Sequence, residues 1–86
     1  MIEIEYSPKF AKMYKKIPMK IKRLAEKKER LFRINPFDSK LRVHKLSGKL
    51  ERYWSFSINY QYRIIFSFVK DNYVRFHAVG THEIYN

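Results

Sequence analysis

Three histidines, His44, His77 and His82, and one arginine set in an apolar run, Arg63, are the residues of this chain whose types could do acid–base and phosphate chemistry together. Imidazole gains and loses a proton near neutrality, so it can serve as acid or base. A guanidinium on a rigid strand can fork onto two phosphate oxygens and hold them as charge grows. Arg63 is the only cation in the run Tyr62–Val69, where strand alternation sets it beside Ile65, Ser67 and Val69. An arginine snorkelling from a sheet edge would show the same pattern. His82 follows the last apolar run in a Gly-Thr-His segment, a polar end able to reach a site, and His44 stands in a loop beside Lys45. His77 alternates with Tyr73, Arg75 and Val79, which fits a structural or surface role. Tyr85, or else Trp54, could stack on a nucleobase, a contact worth about 1–3 kcal/mol. Trp54 alternates with Phe56 and Ile58 and reads as core.

Charge points to the substrate class. Nineteen Lys and Arg against eight Asp and Glu leave a net +11 on 86 residues. Solubility of a small domain asks for a net charge of only about 2–8, so the excess implies a polyanionic partner, nucleic acid first. Residues 1–52 carry sixteen of the cations and six of the anions. The basic surface therefore lies on the N-terminal half and on the loop Lys40, Arg42, Lys45, Lys49 and Arg52, which could grip phosphates without reading sequence. Metal chemistry is not expected, because carboxylates are scattered and no histidine pair has ligand spacing. Neither a cofactor nor a Gly-rich phosphate loop is expected in a chain with two glycines. No cysteine is present, which suits a reducing cytosol. The start of the chain lacks a basic and apolar leader, and no run nears the roughly 18 apolar residues of a membrane span. A cytoplasmic protein is expected.

The elements that must position these groups follow from periodicity. Ile2, Ile4 and Tyr6 alternate with Glu3 and Glu5, a short strand. Ser7-Pro8 is a helix start, with the serine as cap and the proline at the first helical position. Phe10, Met13, Tyr14 and Ile17 make that helix's apolar face. Pro18 interrupts, and a second helix is predicted over Met19–Ile34, its stripe marked by Ile17, Ile21, Leu24, Ala25, Leu31 and Phe32 and its end by Asn35-Pro36. Phe37–Leu50 reads as a loop with a short strand over Arg42–Leu46 and a turn at Ser47-Gly48. Trp54, Phe56, Ile58 and Tyr60 then alternate with Tyr53, Ser55, Ser57 and Asn59 in a strand with one buried face. Strands over Tyr62–Val69 and Tyr73–Val79 follow, joined at Lys70-Asp71-Asn72. The prediction is a single α+β domain over residues 1–86: an N-terminal strand, a helical hairpin, then a mainly antiparallel sheet of three or four strands with the helices on one face.

This order resembles the RelE/ParE superfamily of toxins from type II toxin–antitoxin pairs. The likeness rests on His44-Lys45-Leu46-Ser47-Gly48, the strand Trp54–Ile58, the strand opening at Tyr62-Arg63-Ile64, and the ending Gly80-Thr81-His82-Glu83-Ile84-Tyr85. In flavour it is similar to the YafQ and YoeB branches. The resemblance implies a ribosome-dependent endoribonuclease that cuts mRNA in the A site by metal-free attack of a 2′-OH. It implies partners as well: ribosomal RNA, mRNA, and a cognate acidic antitoxin in a hetero-oligomer. By position, Arg63 matches the strand arginine of these nucleases, His82 their C-terminal catalytic histidine and Tyr85 the aromatic after it. His44 falls in the loop that supplies further basic or catalytic groups. Tyr53-Trp54-Ser55 occupies the region where the YafQ branch carries a histidine–aspartate pair, and Lys40-Leu41-Arg42 that of the YoeB-type glutamate. The ParE branch inhibits gyrase without cutting RNA, so fold alone leaves that reading open, together with a catalytically degenerate RNA- or ribosome-binding homologue.

Overall fold

The computed structural model describes residues 1–85; Asn86, the last residue of the predicted domain, lies outside them. Strand β1, Glu3–Tyr6, leads into helix α1, Pro8–Lys15. Ser7 caps that helix by accepting the Phe10 N–H at 3.0 Å. Its hydroxyl also donates to the His77 carbonyl at 3.2 Å, pinning α1 to the last strand. Pro18 supplies the carbonyl that opens helix α2, Met19–Ile34, accepting from Ile21 and Lys22. Asn35 turns extended before Pro36 and ends the helix, as the steric clash ahead of a proline requires.

Four further strands complete one sheet: β2, His44–Lys45; β3, Trp54–Ser57; β4, Arg63–Lys70; and β5, Tyr73–Gly80. Their order is β1-β5-β4-β3-β2, with β1 parallel to β5 and every other pair antiparallel. The α+β class and the helical hairpin are as predicted, and the N-terminal strand joins the sheet as a fifth, parallel edge. One face of the sheet is apolar. Phe32 from α2, fully buried, meets Phe56, Phe66 and Phe76 at ring-centroid distances of 5.0, 5.0 and 5.5 Å.

Three expectations are corrected. Strand β3 stops at Ser57, not Tyr60, because Asn59 Oδ1 accepts the N–H groups of Gln61 and Tyr62 at 2.9 and 2.7 Å and bends the chain; Tyr60 is left 82% exposed. The strand expected over Arg42–Leu46 shrinks to His44–Lys45, because a 3₁₀ turn at Ser39–Leu41 and a left-handed Arg42 (φ 52°) precede it. Last, Val79 does not share a face with His77. The register steps from Phe66↔Phe76 to Ile65↔Ala78, so His77 is the extra residue of a bulge. The bulge lets both Phe76 and Val79 enter the core.

Candidate active site

The second face of the sheet carries the polar side chains. Ser55 and Ser57 are the buried polar residues of the core region, and both point away from the helices, since Phe56 between them is core. Each serine holds a side chain that sequence singled out. Arg63 Nη1 donates to Ser57 Oγ at 2.9 Å. Tyr85 Oη donates to Ser55 Oγ at 3.1 Å, and the same oxygen lies 3.4 Å from His44 Nε2. Register explains the meeting: His44 pairs with Ser55, Ser57 with Arg63, and Arg63 with Gly80, so four strands bring these groups into two adjacent rows. Tyr85 comes in from a 3₁₀ turn, His82–Tyr85, that follows β5. That turn needs Gly80, because a methyl there would stand 2.6 Å from Ile84 Cγ2.

Leu41, fully buried, anchors the loop between α2 and β2 and thereby fixes its exposed neighbours Lys40 and Arg42. They turn toward Arg63 and form, with Lys28, His44 and Ser57, the lining of a cavity of about 340 Å³. Lys28 also donates to the Lys40 carbonyl at 3.1 Å, tying the loop to α2. No carboxylate stands in this lining. Among the described residues the ion pairs are Arg33–Glu29 and Arg75–Glu5, so Lys28, Lys40, Arg42 and Arg63 have no neutralising partner. Arg63 Nε is buried without an acceptor. Leaving such a donor unmet costs about 1–3 kcal/mol, which marks the guanidinium as held by packing and Ser57, its charge unspent.

Of the sequence-predicted residues, Arg63, His44, Lys40 and Arg42 therefore share one cavity, and Tyr85 adjoins it through Ser55. His82 is exposed, its ring 6.1 Å from that of Tyr85 and outside the cavity lining. Lys45, Lys49 and Arg52 are exposed and outside it as well, Lys45 on β2 pairing with Trp54 on β3. Sequence reasoning missed Lys28, Ser55 and Ser57 as site residues. Lys28 is one of several lysines on α2 and carries no local signal; the serines' signal was their place in an apolar strand on the face opposite Phe56.

His77 belongs to a separate cluster farther along the same face. Its Nε2 lies 2.7 Å from Ser67 Oγ, and its ring packs edge-on against Tyr53 at 4.8 Å. Burial first, and the Arg75 charge second, hold its pKa below the usual imidazole value. Across the nearby sheet edge Arg75 donates to Glu5 at 2.7 Å, and that hydrogen bond holds the Glu5 carboxyl below its ordinary value.

With fold and site in place, comparison with known proteins decides the family. Residues 6–82 match the family described as RelE-like toxin of type II toxin-antitoxin system HigB. The chain belongs to this family of RelE-like toxins. Solved structures similar to this HigB-like chain include YafQ from E. coli strain BL21(DE3), at 23% identity and TM-score 0.75, covering 99% of this chain and 98% of that one. The YoeB–YefM complex from Staphylococcus aureus contains a similar chain at 22% identity and TM-score 0.76, with 95% and 98% covered. A conserved hypothetical protein from Helicobacter pylori, at 22% identity and TM-score 0.69, covers 96% and 97%. These likenesses support the same fold for this toxin. No curated protein matches the chain by sequence. No helix among the described residues is long and apolar enough to cross a membrane.

Proposed function

We propose that this RelE-like toxin is a ribosome-dependent endoribonuclease that cuts mRNA in the A site by metal-free attack of a 2′-OH. The observation that carries this reading is the cavity in which Lys28, Lys40, Arg42 and Arg63 converge with no carboxylate among them. Four uncompensated cations around a space of about 340 Å³ suit a phosphodiester. Arg63 sits on the central strand, where the backbone cannot yield, and so can hold phosphate oxygens as their charge grows in the transition state. His44, at the rim of that cavity, serves the base side of the reaction. His82, exposed near Tyr85, donates the proton to the leaving 5′ oxygen, and Tyr85 orders the nucleotide. Lys45, Lys49 and Arg52 extend the grip along ribosomal RNA, adding affinity without sequence choice.

The partner follows from the same charge. YafQ and YoeB occur in complexes with DinJ and YefM. A net +11 suits capture of this toxin by an acidic antitoxin, in a cytoplasmic hetero-oligomer whose association is fast and salt-sensitive. Primer extension on a model mRNA, with purified protein and with ribosomes present or omitted, tests the nuclease reading. Cleavage that requires ribosomes and disappears in Arg63→Ala is expected. Intact mRNA in both tubes overturns it.

A further inference from the structure

Ser55 is completely buried, yet its hydroxyl has two side-chain partners and both belong to candidate site residues. The order of protons among them is constrained. His44 Nδ1 lies 3.3 Å from the Arg42 carbonyl. A carbonyl only accepts, so Nδ1 carries the proton and Nε2 is bare in neutral His44. Nε2 then accepts from Ser55, 3.4 Å away, and Ser55 Oγ in turn accepts from Tyr85 Oη at 3.1 Å. In this order each donor meets an acceptor: Tyr85 O–H to Ser55, Ser55 O–H to His44, His44 Nδ1–H to Arg42. The lone pair of His44 is thereby aimed at a buried serine, not at the open cavity.

We propose that Ser55 is a positioning residue that couples His44 to Tyr85, so that His44 acts as base through the serine and tyrosine hydroxyls rather than by touching the substrate. This rests on the nuclease reading. In the step, Tyr85 Oη takes the proton of the 2′-OH while its own proton passes to Ser55 Oγ and the serine proton to His44 Nε2. The 2′ oxygen uses the freed electron pair to form its bond to phosphorus. The bond from phosphorus to the 5′ oxygen breaks, and that oxygen takes a proton from charged His82. One imidazole gains a proton and one loses it. Apo hydrogen bonds of this length commonly tighten once substrate excludes water. The charged and titratable groups that share His44's cavity are Lys28 from α2, Lys40 and Arg42 from the loop, and Arg63 from β4, and Tyr85 meets His44 through Ser55.

Two readouts test the coupling. In protein labelled with 15N-histidine, ring NMR of neutral His44 should show Nδ1 protonated and Nε2 bare. Ser55→Ala should shift it toward the Nε2–H form that free imidazole prefers. In ribosome-dependent cleavage, Ser55→Ala and Tyr85→Phe should each lower kcat about 100-fold with KM unchanged. Both should flatten the rise of rate with pH, and the double variant should be no slower than either single one. A Ser55→Ala protein that keeps the wild-type pH profile overturns the relay. Should the wild type cleave nothing, the nuclease reading fails and the tautomer alone decides the coupling. A bare Nε2 in the wild type but not in Ser55→Ala supports it, and the same tautomer in both sinks it.

Discussion

The two faces of the sheet are built from the same strands and differ in what their side chains are for. Toward the helices, Phe56, Phe66 and Phe76 close on Phe32 with no polar atom among them. Away from the helices, the residues that alternate with those phenylalanines include the apolar Ile65 but also Ser55, Ser57, Ser67, Arg75 and the bulged His77, and the polar groups of the serines and His77 pair with His44, Tyr85, Arg63 and one another. The two-residue period of a strand makes this division possible, because neighbouring side chains face opposite environments. Burial on one side stabilises the sheet. That rigidity then holds, on the other side, an arginine with an unmet donor, at a cavity it shares with three further cations from α2 and the loop, an arrangement that a stability-driven design would not choose.

The contrast is sharpest at Phe32 and Arg63. Phe32→Ala removes the ring on which three strands converge and is expected to cost about 3–5 kcal/mol, read as a lower denaturant midpoint. Arg63→Ala should leave the midpoint within about 1 kcal/mol, since it deletes an unmet buried donor along with one hydrogen bond. It should cost cleavage on the order of 100- to 1,000-fold. A large loss of stability in Arg63→Ala would erase the distinction between the faces.

Gly80 joins them, as the end of β5 and the seat of the turn that carries His82 and Tyr85. Gly80→Ala should cost about 1–3 kcal/mol through overpacking against Ile84 and should lower cleavage more than it lowers ribosome binding. An unchanged kcat in that variant would show that the turn tolerates displacement. The smallest effect concerns His77. Because its pKa is depressed in the folded state, the folded protein binds fewer protons there than the unfolded chain. That contribution to stability is intact above the unfolded value, near 6.5, and is lost as pH falls through the folded one. In His77→Gln the decline of Tm between neutral pH and about pH 5 should be shallower than in the wild type; equal slopes would remove the proton linkage from His77.

Much of this was legible from local rules. Ser7-Pro8, Pro18 and Asn35-Pro36 punctuate the helices where capping and proline sterics demand, and the helix predicted over Met19–Ile34 has those bounds in the structure. Arg63 was visible as a cation in an apolar strand. The end of β3 was misjudged because alternation continues past Ser57, while the Asn59 side chain offers the backbone a competing set of hydrogen bonds. The bulge at His77 was invisible because nothing in Arg75-Phe76-His77-Ala78 differs from an ordinary strand; only the pairing partner counts the extra residue.

By itself, then, the sequence determined what local physics determines: the helices, the strand periods, the apolar faces, and a large net positive charge. Tertiary structure alone decided which cations meet. Lys28 and Arg63 lie 35 positions apart, on a helix and a central strand. They line one cavity, which Lys40 and Arg42 complete because Leu41 between them is drawn into the core. Likewise Ser55 became the meeting point of His44 and Tyr85 through strand register and a returning C-terminal turn. Register and loop closure are set by the sum of many distant contacts, and no short window of residues contains that sum.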